Sequence, residues 1–335
     1  MTSPVRFLLA LLSLAVVACA PSPTRDPTMA DMNVVAQDER YALVQLKRNQ
    51  DFTDLAHVFL GHRNEDWQIR EVNADRGARP GQIVAVPLKP VNSSSVYTDG
   101  YRTLPILCYH QFSVGKASHQ LELSAADFEA QLLYLKRNRY RILSFAEVEQ
   151  IMLKGQPIPE RAVVITIDDG YRSVYDVAWP LLKKHGVKAT LFNYTDFIGA
   201  PAAMTWEQTR EMAASELIEI ESHAKSHSSL SRQPADSSQS GYLERLRAEI
   251  RGSNKAFDRH LGSTPRFLSY PYGNSSADAS AVARKEGIAL AATVTRGRNA
   301  TFADPYLLHR TMIYDDHDLA DFEKMLQTFK KRRLK

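Results

Sequence analysis

Only two of the 335 residues are cysteine, Cys19 and Cys108, so no disulfide framework holds this chain together. Net positive charge is lacking in the body of the protein. The formal net charge is +4, yet Lys330-Lys331-Arg332-Arg333-Leu334-Lys335 carries five positive charges, which leaves the remainder near neutral. The chain therefore lacks the basic surface through which nucleic acid is bound. The tail itself reads as a solvated helix end, favoured there by the helix dipole. Long hydrophobic runs are also few. The one at the N-terminus, residues 7–18, is broken only by Ser13 and is too short for a comfortable membrane span. Following Arg6, it has the layout of a secretory signal.

What is present describes an ordinary globular protein, with 44% hydrophobic and 24% charged residues. The length suits one large domain plus something smaller. Such a chain can bury a substantial core unaided. Cys108 lies in an apolar run and is expected to be a buried small hydrophobe.

The signal ends Val16-Val17-Ala18-Cys19, which resembles the bacterial lipobox. That resemblance implies a signal peptide over residues 1–18, lipidation of Cys19, and a lipoprotein of the cell envelope facing the periplasm or exterior. Ala20 after the cysteine leans toward the outer membrane. Residues 19–40, rich in Pro, Ser, Thr and Asp, read as a flexible tether.

Residues 41–88 are expected to form a compact β-α-α-β unit. Residues 41–46 alternate like a strand, 51–61 read as a capped helix ending at glycine, and Trp67 opens a second helix. Pro80-Gly81-Gln82 then leads into the strand Ile83-Val84-Ala85-Val86-Pro87. D-F-T-D-L-A, W-x-I-x-x-x-N and P-G-Q-I-V-x-V-P together resemble a LysM module, which implies binding of GlcNAc-containing chains. Lys47-Arg48-Asn49-Gln50 stands where that family usually has Gly-Asp. A module that only packs on its neighbour is the alternative. Residues 89–103 read as a linker.

From residue 104 to 335 strands and helices alternate, which argues for a parallel sheet, open or closed into a barrel. Strands are expected at 104–109, 161–167, 188–193, 217–221, 266–270, 288–294 and 307–313. Helices are expected at 125–138, 144–153, 173–185, 205–214, 241–261, 277–286 and 319–331. In such folds chemistry sits at the carboxyl ends of the strands. Four polar clusters fall there: His110; Asp168-Asp169-Gly170-Tyr171; His223-Ala224-Lys225-Ser226-His227; and Tyr270-Pro271-Tyr272-Gly273. A lone His-x-x-x-His is weak, and Asp-Asp-Gly is a common turn. Together, Asp169, His223 and His227 would offer three ligands to a divalent ion and leave positions open for water and substrate. Zinc suits this set, and other borderline metals are the alternative. Adjacent carboxylates allow one to bind metal while the other accepts a proton.

T-I-D-D-G-Y and S-H-A-K-S-H resemble the T-F-D-D-G-Y and S-H-[ST]-x-x-H motifs of the polysaccharide deacetylase family, carbohydrate esterase family 4. The resemblance spans about residues 104–315. It implies a distorted parallel (β/α) barrel and metal-dependent removal of N-acetyl groups from a GlcNAc-containing polysaccharide, with release of acetate. It also implies Asp168 as general base and Asp169, His223 and His227 as metal ligands. Ala224 departs from the usual Ser or Thr, which steadies the loop between the histidines. Ser269 occupies the place of an arginine that orients the base. S-Y-P-Y-G resembles the branch acting on poly-β-1,6-N-acetylglucosamine, a biofilm exopolysaccharide. That branch places its catalytic acid after the first strand, as in Leu107-Cys108-Tyr109-His110, which makes His110 the candidate acid and His309 its competitor. Tyr171, Tyr270 and Tyr272 are expected to line the sugar site. Peptidoglycan is the alternative substrate, and a lipid-anchored glycan-binding protein with an inactive barrel is the non-enzymatic alternative.

Overall fold

The computed structural model describes residues 26–332, apart from 62, 75, 76, 90 and 91. The signal segment, Cys19 and the last three residues lie outside the described residues. The chain forms two compact units, Met1–Lys89 and Pro90–Lys335. Among the described residues no helix is long and apolar enough to cross a membrane.

The first unit contains β1 (Val34–Gln37), β2 (Tyr41–Gln45), α1 (Phe52–Leu60), α2 (Asp66–Val72) and β3 (Ile83–Pro87). The sheet is antiparallel in the order β1–β2–β3. Asp51 caps α1 by accepting the Asp54 N–H at 3.0 Å, and Gly61 ends it at φ 83°. Both helices bury one face, Phe52, Leu55, Ala56 and Ile69, on Ala42, Val44, Val84 and Val86. Asn73 locks α2 to the sheet. Its amide donates to the carbonyls of Ile69 (2.7 Å) and Ala85 (2.8 Å), and its oxygen accepts the Ala85 N–H at 3.0 Å. Strand β1 lies within the segment expected to be a tether. It pairs with the edge of β2, satisfying backbone groups that would otherwise face water. Its four side chains are all exposed, so no hydrophobic alternation marked it.

The second unit opens with β4 (Val96–Tyr97) and β5 (Gly100–Arg102), followed by β6 (Leu104–Tyr109), β7 (Gln111–Ser113) and β8 (Glu122–Ser124). Then come α3 (Ala125–Arg137), β9 (Arg141–Leu143), α4 (Phe145–Lys154), β10 (Ala162–Asp169), α5 (Trp179–His185) and β11 (Ala189–Asn193). Next are α6 (Trp206–Ala213), β12 (Ile218–Ser222), α7 (Gln239–Leu261), β13 (Phe267–Ser269), α8 (Ala277–Lys285) and β14 (Leu290–Ala292). The unit ends with β15 (Arg298–Asn299), β16 (Thr311–Met312), α9 (Leu319–Met325) and β17 (Phe329–Lys331).

Strands β6, β10, β11, β12, β13 and β14 lie side by side and parallel. A bridge between Ala292 and Leu308 joins β14 to the chain entering β16, and β16 pairs with β6. The curled sheet is thereby drawn round into a distorted (β/α) barrel. Every residue of β10 is buried, as expected of a parallel strand covered on both faces. Its Val164 faces an enclosed core with Ile106, Phe192, Phe267, Leu290 and Leu308; Val163, Ile165 and Ile167 face the helical layer.

Three expectations are corrected. Residues 89–103 are not merely a linker, because β4 and β5 join a small antiparallel sheet with β17. The last helix stops at Met325 rather than Lys331, and Phe329–Lys331 is an edge strand. The unpaired edge of β5 and the contact of Phe329 with Tyr97 (ring centroids 5.9 Å apart) outweigh the helical pattern there. Finally, only Thr311–Met312 of the expected strand 307–313 is a regular strand.

Candidate active site

The carboxyl ends of β10, β12 and β13 bring the polar clusters to one mouth. The backbone there is unusual. Asp169, Ala224, His227 and Tyr272 all adopt positive φ, between 60° and 75°. Non-glycine residues rarely occupy that region, and their concentration here marks strain held at a functional site. Gly170, at φ 91°, has a further reason to be glycine. A Cβ there would lie 3.0 Å from the side-chain amide of Asn193.

Asp169 Oδ1 stands 3.5 Å from His223 Nε2 and 3.3 Å from His227 Nε2. One ligand atom from each residue falls within a 4.8 Å cluster. These separations match the edge of a tetrahedron built on ordinary zinc–nitrogen distances, roughly 3.3 Å. Asp169 Oδ1 is buried and has no hydrogen-bond partner. A buried carboxylate oxygen left without a partner is costly, and a cation would satisfy it. His223 Nδ1 donates to the Ser269 carbonyl at 2.7 Å, which leaves Nε2 a free lone pair facing Asp169. Burial lowers the His223 pKa against the pull of Asp168 and Asp169, favouring the neutral ring a metal requires. The donor set therefore fits a divalent ion.

Asp168 has a different environment. Burial would raise its carboxyl, but Arg310 overrides this and holds it far below the usual range. The guanidinium is bidentate, Nη1 to Oδ1 at 2.7 Å and Nη2 to Oδ2 at 2.6 Å. Ser269 adds a hydroxyl donor to Oδ2 at 3.0 Å. Arg310 is fully buried, and its other donors reach the Thr293 carbonyl (2.9 Å) and the Thr166 hydroxyl (3.1 Å). Sequence reasoning missed Arg310. The arginine absent at position 269 is supplied by the segment between β14 and β16, and its Nη2 donates to the hydroxyl of the serine at 269 at 2.7 Å.

His110 and Cys108 each place a ligand-type atom in a second cluster with Asp168. Asp168 already accepts three hydrogen bonds from Arg310 and Ser269, which offset its charge, and burial pushes the Cys108 thiol well up, so this cluster does not fit a metal. His110 Nδ1 is buried without a partner. Burial lowers its pKa, while Asp168 and Asp169 oppose the shift.

His309 does not join the site. Residues 306–310 alternate buried and exposed, so Arg310 points inward and His309 outward. The His309 ring covers Gly297, where a Cβ would collide with Nδ1, and Asn299 clasps its backbone through two 2.8 Å hydrogen bonds. Tyr270 is a second correction. It is fully buried in the core packed by α7 and α8, with its hydroxyl 3.1 Å from Ser280 Oγ. Tyr272 is 63% exposed, with its ring 4.5 Å from that of His227. Tyr194, which the sequence did not mark, lies 5.0 Å from His227 and stacks on Phe197, against which Tyr171 packs at 5.2 Å. Tyr171, Tyr194, Phe197 and Tyr272 thus form an aromatic rim beside the histidines.

Residues 155–291 match the family model described as polysaccharide deacetylase. YxkH of Bacillus subtilis, whose name places it among the polysaccharide deacetylases, is 33% identical over 221 residues, covering 66% of this chain and 75% of that protein. The poly-β-1,6-N-acetyl-D-glucosamine N-deacetylase of Escherichia coli K12 is 25% identical over 67% of this chain, which spans only 40% of that protein's length. Among solved structures, IcaB from Ammonifex degensii superposes with a TM-score of 0.60 at 27% identity, covering 69% of this chain and 99% of that one. With this fold, these motifs and these relatives, the chain belongs to the polysaccharide deacetylase family.

Proposed function

We propose that this protein is a metal-dependent N-deacetylase of poly-β-1,6-N-acetylglucosamine. The observation carrying the metal reading is the unpartnered, buried Asp169 Oδ1 between two histidine nitrogens. Zn2+ fits this N,N,O set best. A divalent ion held there supplies Lewis acidity to the acetyl carbonyl and to the attacking water. Asp168, kept ionised by Arg310, accepts the proton that water loses. His110 passes a proton to the departing amine; its unpartnered Nδ1 and its place beside Asp168 support that role. The rim of Tyr171, Tyr194, Phe197 and Tyr272 offers flat apolar faces for sugar rings. The name of the E. coli relative supports this polymer as the substrate.

The first unit is proposed as a LysM-like glycan-binding module. Its β-α-α-β core, held by Asn73 of the W-x-I-x-x-x-N segment, supports that reading. Attachment to a membrane through Cys19 belongs to the same proposal and would place the enzyme in the cell envelope. The module also favours a second substrate, peptidoglycan GlcNAc. Acetate release from equal masses of the two polymers separates them. Turnover of poly-β-1,6-N-acetylglucosamine is expected to exceed that of peptidoglycan by at least about tenfold, an apparent transition-state difference of about 1.4 kcal/mol. The reverse order would make the wall the substrate.

A further inference from the structure

The two histidines of the ligand set are joined by Ala224, Lys225 and Ser226, a loop that passes through positive φ at Ala224 (65°) and reaches His227 at 62°. So short a loop cannot hold that shape by itself. The Asp196 N–H, after β11, donates to the Lys225 carbonyl at 2.9 Å, and the groups that hold the loop's own N–H donors come from α7 and Ser222. Glu249 is 9% exposed, and its carboxylate faces the loop. Oε2 accepts the N–H groups of Lys225 at 3.1 Å and Ser226 at 2.9 Å, and Oε1 accepts the Ser226 hydroxyl at 2.7 Å. One helical turn later, the Ser253 hydroxyl lies 2.8 Å from that of Ser222, which accepts the Ala224 N–H at 3.1 Å. Gly252 leaves room for the Lys225 stem, since a Cβ there would lie 2.6 Å from Lys225 Cδ. Ala224 is fully buried in the core that contains Tyr242, Leu246 and Ile250 of α7.

We propose that Glu249 is a positioning residue for the metal centre. Its carboxylate fixes the Lys225 and Ser226 amides so that His223 and His227 converge on Asp169. Two successive N–H groups aimed at one oxygen form a small nest that fixes the direction of both amides. This accounts for the departure at position 224. Where the family motif carries a hydroxyl that steadies the loop, this chain buries a methyl group and takes the steadying bonds from α7. The inference rests on the metal-centre reading.

Competition against a chromophoric chelator, using the full chain and Zn2+, tests it. Glu249→Ala should weaken Zn2+ affinity by about 10–100-fold. Glu249→Gln should remain close to native, because its carbonyl can accept both amides while its NH2 donates to Ser226. That rescue separates positioning from a general loss of stability. If Glu249→Ala fails to fold, Glu249→Asp decides, since its carboxylate retracts by roughly 1.5 Å and should show the same loss. Native-like affinity in a folded Ala or Asp variant would overturn the proposal. Failure of the native chain to bind Zn2+ would overturn the metal-centre reading itself, and the two failures are distinguishable.

Discussion

Asp168→Asn is expected to lower kcat for acetate release by about 10²–10⁴-fold while the folded protein keeps its metal. The change removes the carboxylate that accepts water's proton and leaves Asp169, His223 and His227 untouched. Arg310 would lose the negative charge it pairs with and keep at most one neutral acceptor on that side chain, so stability is also lost. Metal content of the folded variant is therefore the deciding measurement. If the ion is lost and Asp169→Asn keeps it, the two carboxylates have exchanged roles.

Arg310→Met should lower stability at neutral pH by about 3–5 kcal/mol, because it strands a buried, ionised Asp168. The sign of the pH dependence follows from the native pair. Burial raises the Asp168 carboxyl, and Arg310 more than reverses that. In the native chain the carboxylate contributes stability above the ordinary aspartate range, about pH 4, and loses it as pH falls toward the depressed native value. Without Arg310 the main opposition to burial is gone, only His223, His110 and the Ser269 hydroxyl still favour the carboxylate, and the pKa moves up from its native value. The stability deficit of the variant should then shrink as pH falls. The acid limb of kcat/KM should move to higher pH, since the base is protonated sooner. Urea unfolding at two pH values and a pH–rate profile check both. A deficit that does not change with pH would show that the pair does not control Asp168.

The site was legible in the sequence where its residues are neighbours. Asp168 and Asp169 end one apolar strand, and His223 and His227 sit four apart after another, so local spacing carries the information. Arg310 lies 142 residues from Asp168 and meets it only because the barrel closes. Tyr306-Leu307-Leu308-His309-Arg310 does not alternate in polarity, so nothing local marked that His309 would turn outward and Arg310 inward. The same geometry explains Tyr270 and Tyr194. A strand-end tyrosine can turn into the core, as Tyr270 does, while Tyr194 reaches the rim from the end of β11 without any motif around it. Most barrel strands were readable as largely apolar runs, and β12 as an Ile-Glu alternation. Edge strands β1 and β17 were not, since they are held by backbone pairing and carry largely exposed side chains.

The central claim is that one divalent ion, held by Asp169, His223 and His227, is required to deacetylate the polymer. The direct measurement strips the purified chain with a chelator and follows acetate release from poly-β-1,6-N-acetylglucosamine as Zn2+ is returned. Activity should be absent at first and should saturate at one ion per chain, and Asp169→Ala should recover neither binding nor turnover. Full acetate release from the stripped native chain, with no ion bound, would contradict the account.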